Sequence, residues 1–265
     1  MSKILKESRG RVTILTIDRP EKMNALDYDT NQELIEAFDE FEADADAYVA
    51  VLTGAGDKAF CAGADMTDYP RRYLDGKSSA DFRVEYTDGP GFGGITRNFS
   101  GTKPVVTAIN GYCLSGGLEL ALAADIRFCT DTAIFGLQDV NWGFHSCDGG
   151  SIRLPHVVGH GNAMELILSG ERIDAAHALR IGLVNRVFPQ DELLERTLEF
   201  AERLATRAPL AQRFAKDVIR SAIGMNLDEA LRMETRSFRD LADTEDLREG
   251  YASFAEKRPA TFKGR

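Results

Sequence analysis

The segment Asn110-Gly111-Tyr112-Cys113-Leu114-Ser115-Gly116-Gly117-Leu118-Glu119-Leu120 runs from a β-branched stretch through a glycine turn into helix-forming residues. A strand that enters such a turn and leaves as a helix presents the Gly116 N–H at the helix N-terminus, where the macrodipole favours negative charge. That geometry suits an oxyanion. Glu119, in the first turn of the same helix, is placed to stay ionised and to act as a base. A plainer reading stands beside this one: glycines for close strand-to-helix packing, and an acid that complements the dipole. Two other segments bear on the choice. Phe60-Cys61-Ala62-Gly63-Ala64-Asp65 has small residues that let a ligand approach the backbone, so a second N–H donor can come from there. Phe135-Gly136-Leu137-Gln138-Asp139-Val140 supplies another acid, Asp139, across a strand that can fold back beside Glu119. Two carboxyls near two N–H donors suit acid/base work on a carbonyl compound.

These residues need elements to hold them. Val12 to Ile17 mixes β-branched and apolar residues and stops at Asp18-Arg19-Pro20, a strand followed by a turn. Leu34, Ile35, Phe38 and Phe41 share one helical stripe, and Thr30 with Glu33 has capping-box spacing, which predicts a helix from the late twenties to the mid forties. Val49 to Thr53 reads as a buried strand, Pro104 to Ile109 as another, and Ile126 to Cys129 and Ala133 to Phe135 as two short ones. Past Pro189 the composition turns to helix formers, with Pro209 suited to a first helical position. The expectation is an α/β part over residues 1–188 with a helical region over 189–265. Arg71 to Ser100, rich in charge and glycine, reads as a mobile loop; its glycines follow no strand, which argues against a dinucleotide fingerprint.

The 265 residues carry 32 Lys and Arg against 42 Asp and Glu, a net charge of −10, which argues against binding to nucleic acid or anionic membranes. The uncharged stretch from Pro104 to Leu118 is shorter than the ~20 residues of a membrane span. The charged start, Met1 to Gly10, has no apolar region behind it, so a cytoplasmic location is expected. Cys61, Cys113, Cys129 and Cys147 form no Cys-x-x-Cys pair and read as reduced, mostly buried thiols.

Arg19-Pro20-Glu21-Lys22-Met23-Asn24-Ala25-Leu26, the two glycine-containing loops, and then Gly143, Gly149-Gly150, Arg153-Leu154-Pro155, Gly159 and the run Ala176 to Val187 follow one another in an order that resembles the enoyl-CoA hydratase/isomerase (crotonase) family over nearly the whole chain. The resemblance implies a crotonase-like α/β fold, a spiral of ββα units, with a helical C-terminal region that packs into homotrimers, often paired as hexamers. It implies an acyl-CoA thioester as substrate, coenzyme A being part of that substrate, and no metal or redox cofactor. By motif position the oxyanion-hole amides are those of Ala64 and Gly116, each worth ~3 to 4 kcal/mol of barrier when aimed at an enolate oxygen. The acid/base pair falls on Glu119 and Asp139. Asp65, Met66 and Thr67 would line the acyl-CoA channel beside the small Ala62, and Lys22 with the tail residues Lys257, Arg258 and Lys263 are candidate cations for the CoA phosphates.

The departures from the family pattern matter too. Where hydratases typically have Pro-Glu this chain has Gln138-Asp139, a carboxyl one methylene shorter. Cys147-Asp148 replace a small Gly-Ala and bring a third acid, Asp148, near the acyl pocket. The leading expectation is hydration of a 2-enoyl-CoA. The alternatives are a double-bond isomerase using Glu119 or Asp148, a non-hydratase lyase or hydrolase of the same family, and a non-catalytic acyl-CoA-binding module. A serine hydrolase built on Ser115 fits poorly, because Cys113 stands where a nucleophile elbow needs glycine. His145, Cys147, His156 and His160 lack ligand spacing, and His156 and His160 read as partly exposed residues in a loop before a helix.

Overall fold

The computed structural model describes residues 2–68, 78–97 and 101–265. Of the Arg71 to Ser100 loop, residues 71–77 and 98–100 lie outside the described residues; between them Ser79–Phe82 form one helical turn capped by Ser78, so that part is not plain loop.

Among the described residues ten strands follow the β-branched runs: β1 (Ile4–Arg9), β2 (Val12–Ile17), β3 (Val49–Gly54), β4 (Ala59–Cys61), β5 (Val105–Ile109), β6 (Tyr112–Leu114), β7 (Ile126–Thr130), β8 (Ile134–Gly136), β9 (Ile173–Asp174) and β10 (Arg186–Phe188). They build a six-stranded sheet in the order β1-β2-β3-β5-β7-β10 and a four-stranded sheet in the order β4-β6-β8-β9. β1 and β2 form an antiparallel hairpin with Ile4 opposite Ile17. Thereafter the large sheet is parallel. Each pass of the chain leaves one strand in the large sheet and the next in the small one: β3 then β4, β5 then β6, β7 then β8. This repetition is the spiral that the resemblance implies.

Besides the Ser79–Phe82 turn, the α-helices of the described residues are α1 (Tyr28–Ala43), α2 (Gly116–Ala123), α3 (Gly150–Val158), α4 (His160–Ser169), α5 (Ala175–Arg180), α6 (Leu193–Ala205), α7 (Pro209–Ser221), α8 (Leu227–Asp240) and α9 (Glu245–Glu256). No helix among the described residues is long and apolar enough to cross a membrane. Pro209 opens α7 as expected. The start of α1 differs from expectation: the cap is Asp27, whose Oδ1 accepts from the Thr30 amide at 2.9 Å and the Thr30 hydroxyl at 2.6 Å. Glu33 does not close a capping box. Its Oε2 reaches instead to the amides of Lys3 and Ile4, so it ties α1 to β1.

Period-two alternation explains why β3 is buried on both sides. Ala50 and Leu52 face the core between the sheets with Phe38 and Phe60. Val49 and Val51 face the other way, onto Val106, Phe128 and the α6 residues Leu193, Leu198 and Ala201. The first helix after β10 is thus packed against the large sheet, and each large apolar side chain buried there contributes about 1.5–3 kcal/mol. Two buried cations close helix ends by donating to their last carbonyls. Lys103 Nζ reaches Phe41 and Asp44 at 2.6 Å each, at the end of α1. Arg127 reaches Ala121 and Ala124 at the end of α2. Cys61, Cys113 and Cys129 are buried free thiols, whereas Cys147 is exposed.

Candidate active site

β6 ends at Leu114, and the chain reverses through Ser115 into α2. Ser115 adopts φ 46°, ψ −119°, a region that costs a non-glycine residue about 1–3 kcal/mol. Hydrogen bonds at its amide, carbonyl and hydroxyl hold it there. Its amide donates to Gly136 at 2.8 Å, its carbonyl accepts from Glu119 at 3.0 Å, and its hydroxyl accepts from the Gln138 amide at 3.3 Å. The strained turn lets α2 begin at Gly116 directly after the strand.

The second turn meets the first at two glycines. A β-carbon on Gly63, whose φ is +97°, would lie 3.1 Å from the Gly116 nitrogen, and one on Gly117 would lie 2.0 Å from the Cys61 carbonyl oxygen. Side chains at these places would force the turns apart. The Leu26 amide donates to Gly63 at 2.9 Å, and the Asp65 amide donates to Leu26 at 2.8 Å. The amide between them, on Ala64, therefore faces away from Leu26 by strand alternation. Among the described residues neither the Ala64 nor the Gly116 N–H donates to a protein acceptor.

Glu119 follows on α2 and is only 3% exposed. Its Oε1 accepts from the Asp148 amide at 2.7 Å and the Gly150 amide at 2.8 Å. The expectation that its place at the helix N-terminus keeps Glu119 ionised is not met: burial pushes this carboxyl up to about 7 and the charges of Asp148 and Asp139 push the same way, while the two amides oppose them. Asp139 is also buried, and its Oδ2 has no hydrogen-bond partner among the described residues. Burial raises its pKa as well, against the pull of the Ser115 hydroxyl and His145. The structure thus brings Glu119 and Asp139 into one electrostatic neighbourhood with the Gly63 and Gly116 turns.

Asp148 is placed differently from a free acid. Its Oδ1 accepts from the Phe92 amide at 3.2 Å, the Thr96 hydroxyl at 3.1 Å and Arg97 Nε at 3.1 Å. Asp65 is likewise engaged: Oδ1 accepts from the Thr67 hydroxyl at 2.7 Å and Oδ2 pairs with Arg19 at 3.2 Å, which together hold its carboxyl below the usual range. Ala62 is half-buried beside it, and Met66 and Thr67 are exposed. Lys22 is exposed on the Pro20–Lys22 turn. At the other end of the chain Lys257 ends α9 and Lys263 is exposed, but Arg258 is engaged by Glu249 at 2.6 Å and Glu256 at 2.6 Å.

Ser115 makes no hydrogen bond to a histidine among the described residues, so the base of a serine hydrolase is not assembled there. His156 lies on α3 and His160 opens α4, not in a loop; Gly159, at φ 81°, separates the two helices. Sequence reasoning missed Asn24, whose side chain accepts from the Arg19 amide and donates to Ala55 and Ala59, fixing the chain around β4. Its backbone, at φ 55°, gives no signal beyond the tolerance of asparagine for that region. The arginines around Asp148 were also missed, because their partners are distant in sequence.

Comparison with known proteins bears on the family and the fold. A sequence model of the enoyl-CoA hydratase/isomerase family matches residues 7–265. A carnitinyl-CoA dehydratase from Escherichia coli (strain K12) is 40% identical over 272 residues, covering 100% of both chains. A probable enoyl-CoA hydratase from Rhizobium meliloti (strain 1021) is 40% identical over 263 residues, 99% of this chain and 98% of that one. Among solved structures, an enoyl-CoA hydratase from Mycobacterium tuberculosis H37Rv superposes over 100% of both chains with a TM-score of 0.90 at 33% identity. One from Bacillus anthracis covers 99% of this chain and 100% of its own, with a TM-score of 0.88 at 34% identity. Sequence match and shared fold, end to end, make this chain a member of the enoyl-CoA hydratase/isomerase family and an enzyme of the hydratase type.

Proposed function

We propose that the protein adds water across the double bond of a 2-enoyl-CoA to give a 3-hydroxyacyl-CoA. The observation that carries this reading is the buried Glu119 carboxyl, with Oε1 fixed by two amides and its midpoint near neutrality, beside the unpartnered Oδ2 of Asp139. A group that titrates near the working pH is suited to moving protons. Glu119 takes a proton from water as the water oxygen bonds to C3. The π electrons of the double bond move onto the thioester as an enolate, whose oxygen the Ala64 and Gly116 amides receive. Asp139, in the protonated form that its burial favours, gives its proton to C2. Proton exchange through solvent returns the pair to its starting state. The scheme calls for no metal or redox cofactor.

Ala62, Asp65, Met66 and Thr67 border the path of the acyl-CoA in this reading. With Arg258 already paired, the phosphates fall to Lys22, Lys257 and Lys263. The engagement of Asp148 by Arg97 favours Glu119 over Asp148 as the proton carrier, in hydration and in isomerisation alike. Dehydration is the same chemistry in reverse, and the 40% identity to carnitinyl-CoA dehydratases makes a carnitinyl thioester a substrate to assay beside simple enoyl chains. The exposed Ile219, Ile223, Leu227, Leu231 and Phe238 support association of copies through the C-terminal helices, as trimers or paired trimers. The test is loss of the enoyl-thioester absorbance with a short 2-enoyl-CoA, alongside a 3-enoyl-CoA. Hydration of the first supports the proposal; migration of the double bond in the second without hydration of the first overturns it.

A further inference from the structure

The Glu119 carboxyl owes its orientation to a turn that is itself held from outside. Asp148 and Gly150 give Oε1 their amides, and Gly149 between them, at φ +105°, gives that turn its shape. A β-carbon on Gly149 would lie 1.7 Å from Arg153 Nη1, so the missing side chain is the space in which the guanidinium lies. From there Arg153 donates through Nη1 to the Asp148 carbonyl at 3.0 Å and through Nη2 to the Thr96 carbonyl at 2.7 Å. Arg97 completes the bracket from the other side, donating to Asp148 Oδ1 at 3.1 Å. The Phe92–Arg97 segment so fastened also reaches the other half of the site, because the Phe92 ring would be 3.0 Å from a β-carbon on Gly116.

Resting on the reading of Glu119 as the proton-transfer group, we propose that Arg153 and Arg97 are positioning residues. They clamp the 147–150 turn to the Phe92–Arg97 segment and so keep its two amides aimed at Glu119. A planar guanidinium with several fixed donors suits this bridging of two carbonyls, which a single ammonium would do less well. The charged and titratable groups facing Glu119 are Asp139 from the turn after β8, Cys147 and Asp148 from the clamped turn, and Arg153 from α3. Arg97 acts one step removed, by balancing the Asp148 charge.

The test compares Arg153→Gln, Arg97→Gln, Arg97→Lys and Glu119→Gln, with but-2-enoyl-CoA as the probe and kcat and KM measured across pH. Misplacing a proton-transfer group by about 1 Å costs on the order of 100-fold in rate. Arg153→Gln and Arg97→Gln are therefore expected to lower kcat by about 10- to 100-fold with little change in KM. Loss of either cation leaves the carboxylates less balanced, so the acid limb of the kcat profile is expected to move to higher pH. Arg97→Lys is expected to recover most of the rate. If the two glutamine variants lose thermal stability but keep the wild-type kcat and acid limb, the clamp is merely structural and the proposal falls. Should Arg153→Gln not fold, Arg97→Gln, on the more exposed side, decides the matter. Full activity in Glu119→Gln would overturn the reading of the site itself, and the clamp with it; an inactive Glu119→Gln beside unchanged arginine variants overturns the clamp alone.

Discussion

Replacing Glu119 with glutamine should disable the enzyme and, above neutral pH, stabilise it. The side chain keeps its size, and the amide oxygen still accepts from Asp148 and Gly150, so the clamped turn is preserved. The charge is lost. In the folded protein burial raises the carboxyl from its ordinary value of 4.5 to about 7. At 1.36 kcal/mol per pH unit this is about 3 kcal/mol. A carboxyl whose pKa is higher folded than unfolded stabilises the fold fully below about pH 4.5, and that contribution is lost as pH rises through about 7. Wild type therefore bears the ionisation cost at pH 8 and the variant does not. Denaturant melts of both proteins, at one fixed concentration so that any assembly contributes equally, should show the variant gaining on wild type between pH 5 and 8 by up to about 3 kcal/mol. The rate of hydration should fall at least about 1,000-fold, the upper part of the range for removing a general base together with its positioning. A stability difference that stays flat across that pH interval would show that Glu119 carries no such burden and would refute the reasoning.

Other substitutions test neighbouring parts of the argument. Gly63→Ala puts a β-carbon 3.1 Å from the Gly116 nitrogen at a φ of +97°; enoyl-CoA turnover should drop by about 100-fold as the two turns separate, while circular dichroism still shows a folded protein. Asp139→Asn leaves an amide group where Oδ2 has no partner, and steady-state kinetics should report a kcat about 100- to 1,000-fold lower with KM little changed. Lys103→Met strips the donors from the Phe41 and Asp44 carbonyls, and the loss of about 3 kcal/mol expected for two buried charge-assisted hydrogen bonds should appear in urea melts without change in the pH profile of activity.

The strands were legible because β-branched runs and period-two burial act locally: Val49 to Thr53 could be little else. The glycine turns were legible for the same reason, since Gly116-Gly117 and Gly63 stand beside small residues at strand ends. The α1 cap was not. Asp27 and Thr30 are both good capping residues, and the choice is made by Lys3 and Arg19, whose ion pairs with Asp27 at 2.7 and 3.0 Å come from another part of the chain. The same holds for Asp148. As a residue type it looked like a third acid, and only the folded chain shows Arg97, Thr96 and the Phe92 amide gathered on it. Ser115 carried no sign of its unusual backbone, because that conformation is enforced by Gly136 and Gln138 from a neighbouring strand and turn. Residue roles in the chemistry came from family resemblance, because no local pattern around Glu119 or Asp139 distinguishes a proton carrier from a buried structural acid.

The packing of α6 on the large sheet constrains how the polypeptide matures during synthesis. Val49, Val51, Val106 and Phe128 leave the ribosome early, whereas Leu193, Leu198 and Ala201, which cover them, are translated late. Until that helix is made, Val49, Val51, Val106 and Phe128 lack the apolar cover it gives them, and partly folded chains with apolar surface left open in this way are prone to aggregate.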